Sequence, residues 1–179
     1  MHPNGHSVDM GSVLRQLASG VDAKLLLGQV LTSAAEHDGV LPPHSARCLG
    51  CGPDNPHGLG LVVRLKESAV ASELTLDARH EGAPGVAHGG AVALAFDDLF
   101  GFLLYLVGDL GVTRNLTVDY LAPARLGIAH QLRAVVGKRD GRRVEVSGSM
   151  TTLDGRQIAT ASATFVIVDP AHFITAAQP

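Results

Sequence analysis

Asp97 and Asp98 stand side by side in the middle of a strongly apolar stretch. From Ala91 to Val107, 14 of the 17 residues are apolar and the exceptions are Asp97, Asp98 and Gly101, so the two acids must be there for a reason. A buried, unpaired carboxylate is costly; it finds donors, takes up a proton more readily, or faces a polar site. In an apolar cleft a carboxylate can act as a nucleophile or as a general base toward water. Neighbouring residues on a helix point about 100° apart. The two acids are therefore not a close acid pair: one should face a site and the other a structural partner.

The stretch is preceded by Glu81-Gly-Ala-Pro-Gly-Val-Ala-His88-Gly89-Gly90. Gly89 and Gly90 stand where a helix should begin. Free backbone N–H groups and the positive end of the helix dipole make such a start a good place for a carbonyl oxygen gaining negative charge, although Gly-Gly there also suits tight packing alone. Asp97 follows Gly89 by eight residues, about 12 Å along a helix. That is too far for one helix to bring both groups to one carbonyl. Two copies with antiparallel helices would set the amide of one against the carboxylate of the other, giving two equivalent sites in a symmetric dimer.

The elements that must position these groups follow from periodicity. In residues 1–46, Leu14, Leu17, Val21, Leu25, Leu26, Val30, Leu31 and Ala34 recur at helical spacing, with Gly20 as a break and Leu41-Pro-Pro-His44 as the end. This is a helical N-terminal extension that adds apolar burial or covers a ligand tunnel. From Gly58 the pattern alternates: Leu59, Leu61, Val63 and Leu65 share one strand face, and Val70, Ser72, Leu74 and Leu76 a second. A helix over 90–107 follows, then strands near 112–121, 128–138, 142–153 and 156–168, with hairpin turns at Asp140-Gly141 and Asp154-Gly155. The expected fold is α+β, a curved antiparallel sheet wrapped around a long central helix that is buried on nearly every side. The main domain spans 47–170 and a tail 171–179.

Composition excludes several roles. A net charge of −3 over 179 residues, with 17% charged, leaves no basic footprint for nucleic acid. Five Phe, two Tyr and no Trp make no stacking platform for single strands. The N-terminus lacks the pattern of a signal peptide, so a cytoplasmic location is expected. Two central aspartates argue against a membrane span over 91–107. The expected partner is a small molecule.

The string EGAPGVAHGGAVALAFDDLFG, residues 81–101, resembles the motif region of hotdog-fold acyl-CoA thioesterases, in the group of the mammalian thioesterase superfamily proteins and the phenylacetate-pathway thioesterases. The likeness continues through Thr113-Arg-Asn-Leu-Thr-Val-Asp-Tyr-Leu-Ala-Pro123 and covers roughly residues 48–168. It implies hydrolysis of an acyl-CoA by a homodimer or homotetramer with sites at the dimer interface and no cofactor. Gly89 would polarise the thioester carbonyl through its backbone amide, with His88 shaping or aiding that loop and Gly90 beside the substrate. Asp97 would attack the carbonyl or activate water, and Thr113 would orient the water. Period two puts Thr113 on one strand face with Asn115, Thr117 and Asp119, opposite Leu116, Val118 and Tyr120, which makes Asn115 a further substrate-binding candidate. One departure stands out. Some relatives carry an Asn or Gln about six residues before the histidine as a second carbonyl donor, where this chain reads Glu81-Gly82-Ala83.

Lys138, Arg139, Arg142 and Arg143 surround the Asp140-Gly141 turn, as a solvated hairpin tip or as a contact for coenzyme A phosphates. Cys48-Leu-Gly-Cys51 resembles half a zinc site that His44 and His57 would complete. In many hotdog thioesterases, however, the same cysteines followed by Asn55-Pro56-x-Gly58-Leu59 lead into the first strand without needing metal, so no metal is expected. Two other readings remain. One is a hotdog enoyl-thioester hydratase or dehydratase with His80 or His88 as base and Asp97 as acid; the other is a non-catalytic acyl-thioester binding module.

Overall fold

The computed structural model describes residues 13, 15–17 and 19–176, so Leu14 of the helical repeat lies outside the described residues. Helix α1 (Ala23–Glu36) is followed by strands β1 (Arg64–Lys66) and β2 (Ala69–Thr75), a 3-10 turn at Ala78–His80, and a short hairpin of β3 (Glu81–Ala83) and β4 (Val86–Ala87). Helices α2 (Gly89–Gly101) and α3 (Leu103–Val107) come next. They lead to β5 (Gly111–Tyr120), β6 (Ala129–Asp140), β7 (Arg143–Thr152), β8 (Gln157–Ile167) and α4 (Ala171–Ala176).

The main sheet has six strands in the order β1-β2-β6-β7-β8-β5, and every neighbouring pair is antiparallel. Alternation explains it. On β6, buried His130, Leu132 and Ala134 alternate with exposed Gln131, Arg133 and Val135, and on β7 Val144 and Val146 alternate with Arg143, Glu145 and Ser147. Gly141 and Gly155 take positive φ at the two hairpin turns, which side chains rarely adopt. Helix α2 crosses the concave face against β2, β5, β6, β7 and β8, and delivers Phe96, Leu99 and Phe100 to the centre of the core. Burying a side chain of that size contributes about 1.5–3 kcal/mol.

The structure differs from the sequence expectation at five places. The alternation at Leu59, Leu61 and Val63 correctly marks buried side chains, yet the only ladder residues there are Arg64–Lys66. Backbone pairing is the reason: the amides of Leu59 and Leu61 donate to the carbonyls of Leu49 and Gly50, and the Val63 carbonyl accepts from Leu41, so the segment is held by the cysteine loop. The central helix ends at Gly101 and resumes as α3, which stops at Gly108 in the left-handed conformation. It is also less enclosed than expected. Val92, Ala95, Phe96, Asp98, Leu99 and Phe100 are buried, whereas Leu94, Asp97 and Gly101 are half-buried and Gly90 is exposed. Gly89–Val107 is by length and composition a helical stretch that could cross a membrane, and half of it is buried inside the protein.

In the N-terminal extension, Gly20 does break the helical pattern at φ 88°, but α1 ends at Glu36, before the prolines. Asp38 and Gly39, both at positive φ, turn the chain there. Leu26, Leu27, Val30 and Ala34 are buried against the domain while Leu25 points to solvent. The expected tail includes α4.

Candidate active site

Strand β5 decides what faces Asp97. Thr113 pairs with Phe165 and Asn115 with Thr164, so Arg114 is an extra residue and the strand carries a β-bulge. Directly opposed residues share a sheet face. Thr113 therefore lies on the core face with Phe165, as Leu116 does with Ala163 and Val118 with Ala161, while Asn115 and Thr117 turn to the other face. The period-two expectation that grouped Thr113 with Asn115 is thus corrected, because a bulge shifts the alternation by one residue. Thr113 Oγ1 donates to Asp97 Oδ1 at 2.9 Å.

The two residues sit on a cleft of about 390 Å³. Its other walls include Leu27 of α1, Leu104 of α3, Phe165 of β8 and Phe173 of α4, so the N-terminal extension and the C-terminal helix both contribute to it. His44, Asp98, Tyr105 and Asp109 also line it, so polar groups and apolar walls share one cleft, which suits a ligand with a polar reacting group and an apolar body.

The helix start is a second, separate place. His88 is the N-cap residue, and its Nδ1 accepts the Gly90 amide at 2.8 Å. A Cβ on Gly90 would lie 2.9 Å from that nitrogen, so the cap needs glycine there. The Gly89 amide makes no hydrogen bond among the described residues, while its carbonyl accepts from the Tyr120 hydroxyl at 2.9 Å. Gly89 and Tyr120 line a recess of about 380 Å³ with Val86, Val92 and Ile158. Neither Asp97 nor Thr113 belongs to that recess, in keeping with the axial separation expected of one helix. Tyr120 is a residue that sequence reasoning missed. Period two already put it on the face of Leu116 and Val118, but the bond from its hydroxyl to Gly89 was visible only in the structure.

Asp98 diverges from Asp97 and joins His44, Cys48 and Cys51. Its Oδ1 lies 3.1 Å from His44 Nδ1 and accepts from Cys48 Sγ at 3.0 Å and Cys51 Sγ at 3.5 Å. Burial pushes the Asp98 carboxyl up, but the His44 ring against it, helped by the thiols, holds it below its ordinary value. Burial lowers His44, and its hydrogen bond to Asp98 with those to the cysteines more than reverses this, raising it well above the usual imidazole range. The His44 ring also lowers the Cys48 thiol, whereas burial raises Cys51. His57, the other expected partner of the cysteines, is exposed and outside this group; Asp98 stands in its place.

The remaining candidates separate. Arg143 and Asn115 share a polar recess of about 280 Å³ with Arg114 and Lys138. Arg139 is tied instead to Asp109 at 2.7 Å, and Arg142 does not line the recess. His80 is held in its own turn, with Nδ1 at 3.2 Å from the Asp77 carboxylate. Glu81, at the position of the missing amide donor, accepts the Gly85 amide at 2.8 Å and shapes the β3–β4 hairpin.

Comparisons with known proteins agree with this architecture. Residues 84–159 match the family model described as thioesterase superfamily. Over 92 residues, 50% of this chain, the sequence is 38% identical to acyl-coenzyme A thioesterase THEM4 of Xenopus laevis and covers 41% of that protein. The chain thus spans about two fifths of the length of the curated relatives it matches. Among solved structures, a thioesterase superfamily protein superposes with a TM-score of 0.65 at 24% identity, over 93% of each chain. A hypothetical thioesterase of Streptococcus pneumoniae, solved with coenzyme A, gives 0.57 at 18% identity over 60% of this chain and 87% of the other. The fold is the hotdog fold, an antiparallel curved sheet around a central helix.

Proposed function

We propose that this chain, whose residues 84–159 match the thioesterase superfamily model, hydrolyses an acyl-CoA thioester to a free acid and coenzyme A. The observation that carries the proposal is the bulge-directed hydrogen bond from Thr113 to Asp97 at the cleft. Asp97 acts on the thioester carbonyl, either by direct attack or through a water that it deprotonates, and Thr113 fixes the carboxylate or that water. The C–S bond breaks, and the thiolate of coenzyme A leaves and takes up a proton. By direct attack the acyl group passes to Asp97 as a mixed anhydride that a water then opens; by the other route the water adds directly. Either way one water is consumed and the acyl group leaves as the acid.

The carbonyl oxygen needs a donor as it gains charge, and the unengaged Gly89 amide at the start of α2 is suited to this. Gly89 and Asp97 lie in different recesses of one chain, so a homodimer with active sites at its interface is part of the proposal. Two features support it. The half-buried stripe of α2 that includes Asp97 awaits cover, and β5, ten residues long, lies at the edge of the sheet beside the site. Arg143 and Lys138 would meet coenzyme A phosphates from a polar recess that Arg114, Asn115, Asp140 and Glu145 also line.

A thiol-release screen of the purified protein over short, aromatic and long acyl-CoAs tests the reading. Release of free thiol and acid is expected, with loss of turnover in Asp97→Asn. Tight binding of acyl-CoA without thiol release across the panel would favour a binding module instead, and hydration of an enoyl-CoA followed near 260 nm would favour the hydratase. The hydratase has less support from the geometry, since His88 caps α2 and His80 is held by Asp77.

A further inference from the structure

We propose that His44, Cys48, Cys51 and Asp98 form a structural Zn2+ site that pins the segment before the sheet to the central helix. Four potential ligand atoms, His44 Nδ1, both Sγ atoms and an Asp98 carboxylate oxygen, lie within 4.8 Å of one another. Zn–S bonds of about 2.3 Å and Zn–N or Zn–O bonds of about 2.0–2.2 Å set the edges of a tetrahedral site at roughly 3.4–3.8 Å. The distances here are 3.1 Å from nitrogen to oxygen, 3.4 Å from Cys51 sulfur to nitrogen, and 3.0 and 3.5 Å from the sulfurs to oxygen. With every pair within 4.8 Å, movements of up to about 1 Å would fit the cluster around an ion.

The surroundings are built for this group. A Cβ on Gly50 would lie 2.1 Å from Asp98 Cγ, and one on Gly52 would lie 2.3 Å from the Cys48 nitrogen, so the loop closes onto the carboxylate only with glycine at both places. The Gly52 amide donates to the Cys48 carbonyl, and the His44 amide donates to Cys51 Sγ at 3.2 Å, which holds that sulfur in the cluster. The Asp98 side chain is only 5% exposed, and its second oxygen is buried without a hydrogen-bond partner. A bound dication compensates that charge better than neutral thiols do.

Ligand chemistry selects the metal. Two thiolates with an imidazole and one carboxylate suit zinc, whereas calcium and magnesium take oxygen sets. Four protein ligands leave no open position, which marks a structural site rather than a catalytic one. Zinc replaces the protons of both thiols and the proton on His44 Nδ1, which pass to solvent, and no electron changes hands.

The 179-residue chain, purified without a histidine tag, is analysed for metal and then stripped and reloaded with Zn2+ or Co2+. We expect one zinc per chain, tetrahedral Co2+ bands in the visible with thiolate-to-cobalt charge transfer in the near ultraviolet, and loss of that charge transfer when both cysteines are changed to serine. Stripping should lower the melting temperature by roughly 5–15 °C, restored by zinc. No zinc retained, and no thiolate–cobalt band in the folded parent protein, overturns the proposal, as does a Cys48–Cys51 disulfide in protein purified without reductant. Because the parent protein carries the decisive spectrum, a cysteine variant that fails to fold leaves the result intact.

Discussion

Asp97 and Asp98 are chemically identical and adjacent, and the fold treats them in opposite ways. Asp97 is half-buried at the cleft and has one hydroxyl, Thr113, as its side-chain partner. Asp98, one helical step away, is enclosed by an imidazole and two thiols from a loop 47–54 residues earlier in the chain. The first is sparsely satisfied and accessible, as a group that must change partners in a reaction should be. The second is densely held, as a group that fixes structure should be. Similar carboxylates on one helix can thus serve chemistry and cohesion separately when the helix turns them to different neighbours.

Substitutions at the two positions should break this contrast most sharply. Asp97→Asn keeps shape and the Thr113 hydrogen bond but removes the base, so kcat on a turned-over acyl-CoA should fall by about 10²–10⁴. Its melting temperature should stay within a few degrees of the parent. Unchanged turnover in that variant would remove Asp97 from the mechanism. Asp98→Asn should do the reverse, costing about 3–5 kcal/mol of stability because it leaves one side of a buried ionic cluster without its partner. Chemical denaturation measures this, and a loss under 1 kcal/mol would mean that the cluster holds nothing together.

Two smaller changes sharpen the comparison. Gly50→Ala would set a methyl 2.1 Å from Asp98 Cγ, so the loop must shift; a loss of about 1–3 kcal/mol is expected from overpacking, with kcat little altered. A variant as stable as the parent would show that the loop does not close tightly on Asp98. Thr113→Val keeps the volume and β-branching and removes the hydroxyl. Loss of one hydrogen bond to a charged group, about 1.5 kcal/mol, corresponds to roughly tenfold in kcat. If KM moved instead and kcat held, Thr113 would belong to substrate binding rather than to the reacting carboxylate.

Much of this was legible before any coordinates. Alternation at Val70, Ser72, Leu74 and Leu76, and on β6 and β7, reports which side of a sheet is dry, because the side-chain period of a strand is two. Asp140-Gly141 and Asp154-Gly155 announce their turns because glycine reaches positive φ without a steric penalty. His88-Gly89-Gly90 marks the helix start because a histidine cap and two residues lacking Cβ allow the chain to turn there. Even the divergence of the two aspartates follows from helical geometry alone. These are local properties, carried by a few consecutive residues.

The tertiary structure decided everything that depends on register or on distant partners. Thr113 reaches Asp97 only because Arg114 is accommodated as a bulge against β8, and no periodicity within β5 foretells a misfit set by the strand beside it. Leu59, Leu61 and Val63 alternate like a strand, yet part of their backbone bonding goes to the cysteine loop, a choice made by what lies alongside. Most plainly, the sequence specified that Asp97 and Asp98 would face different ways, and packing chose which one met the hydroxyl and which met His44 and the two cysteines. Helix geometry sets the angle between neighbouring side chains; only the assembled sheet, loop and helix supply the groups found at each end of that angle.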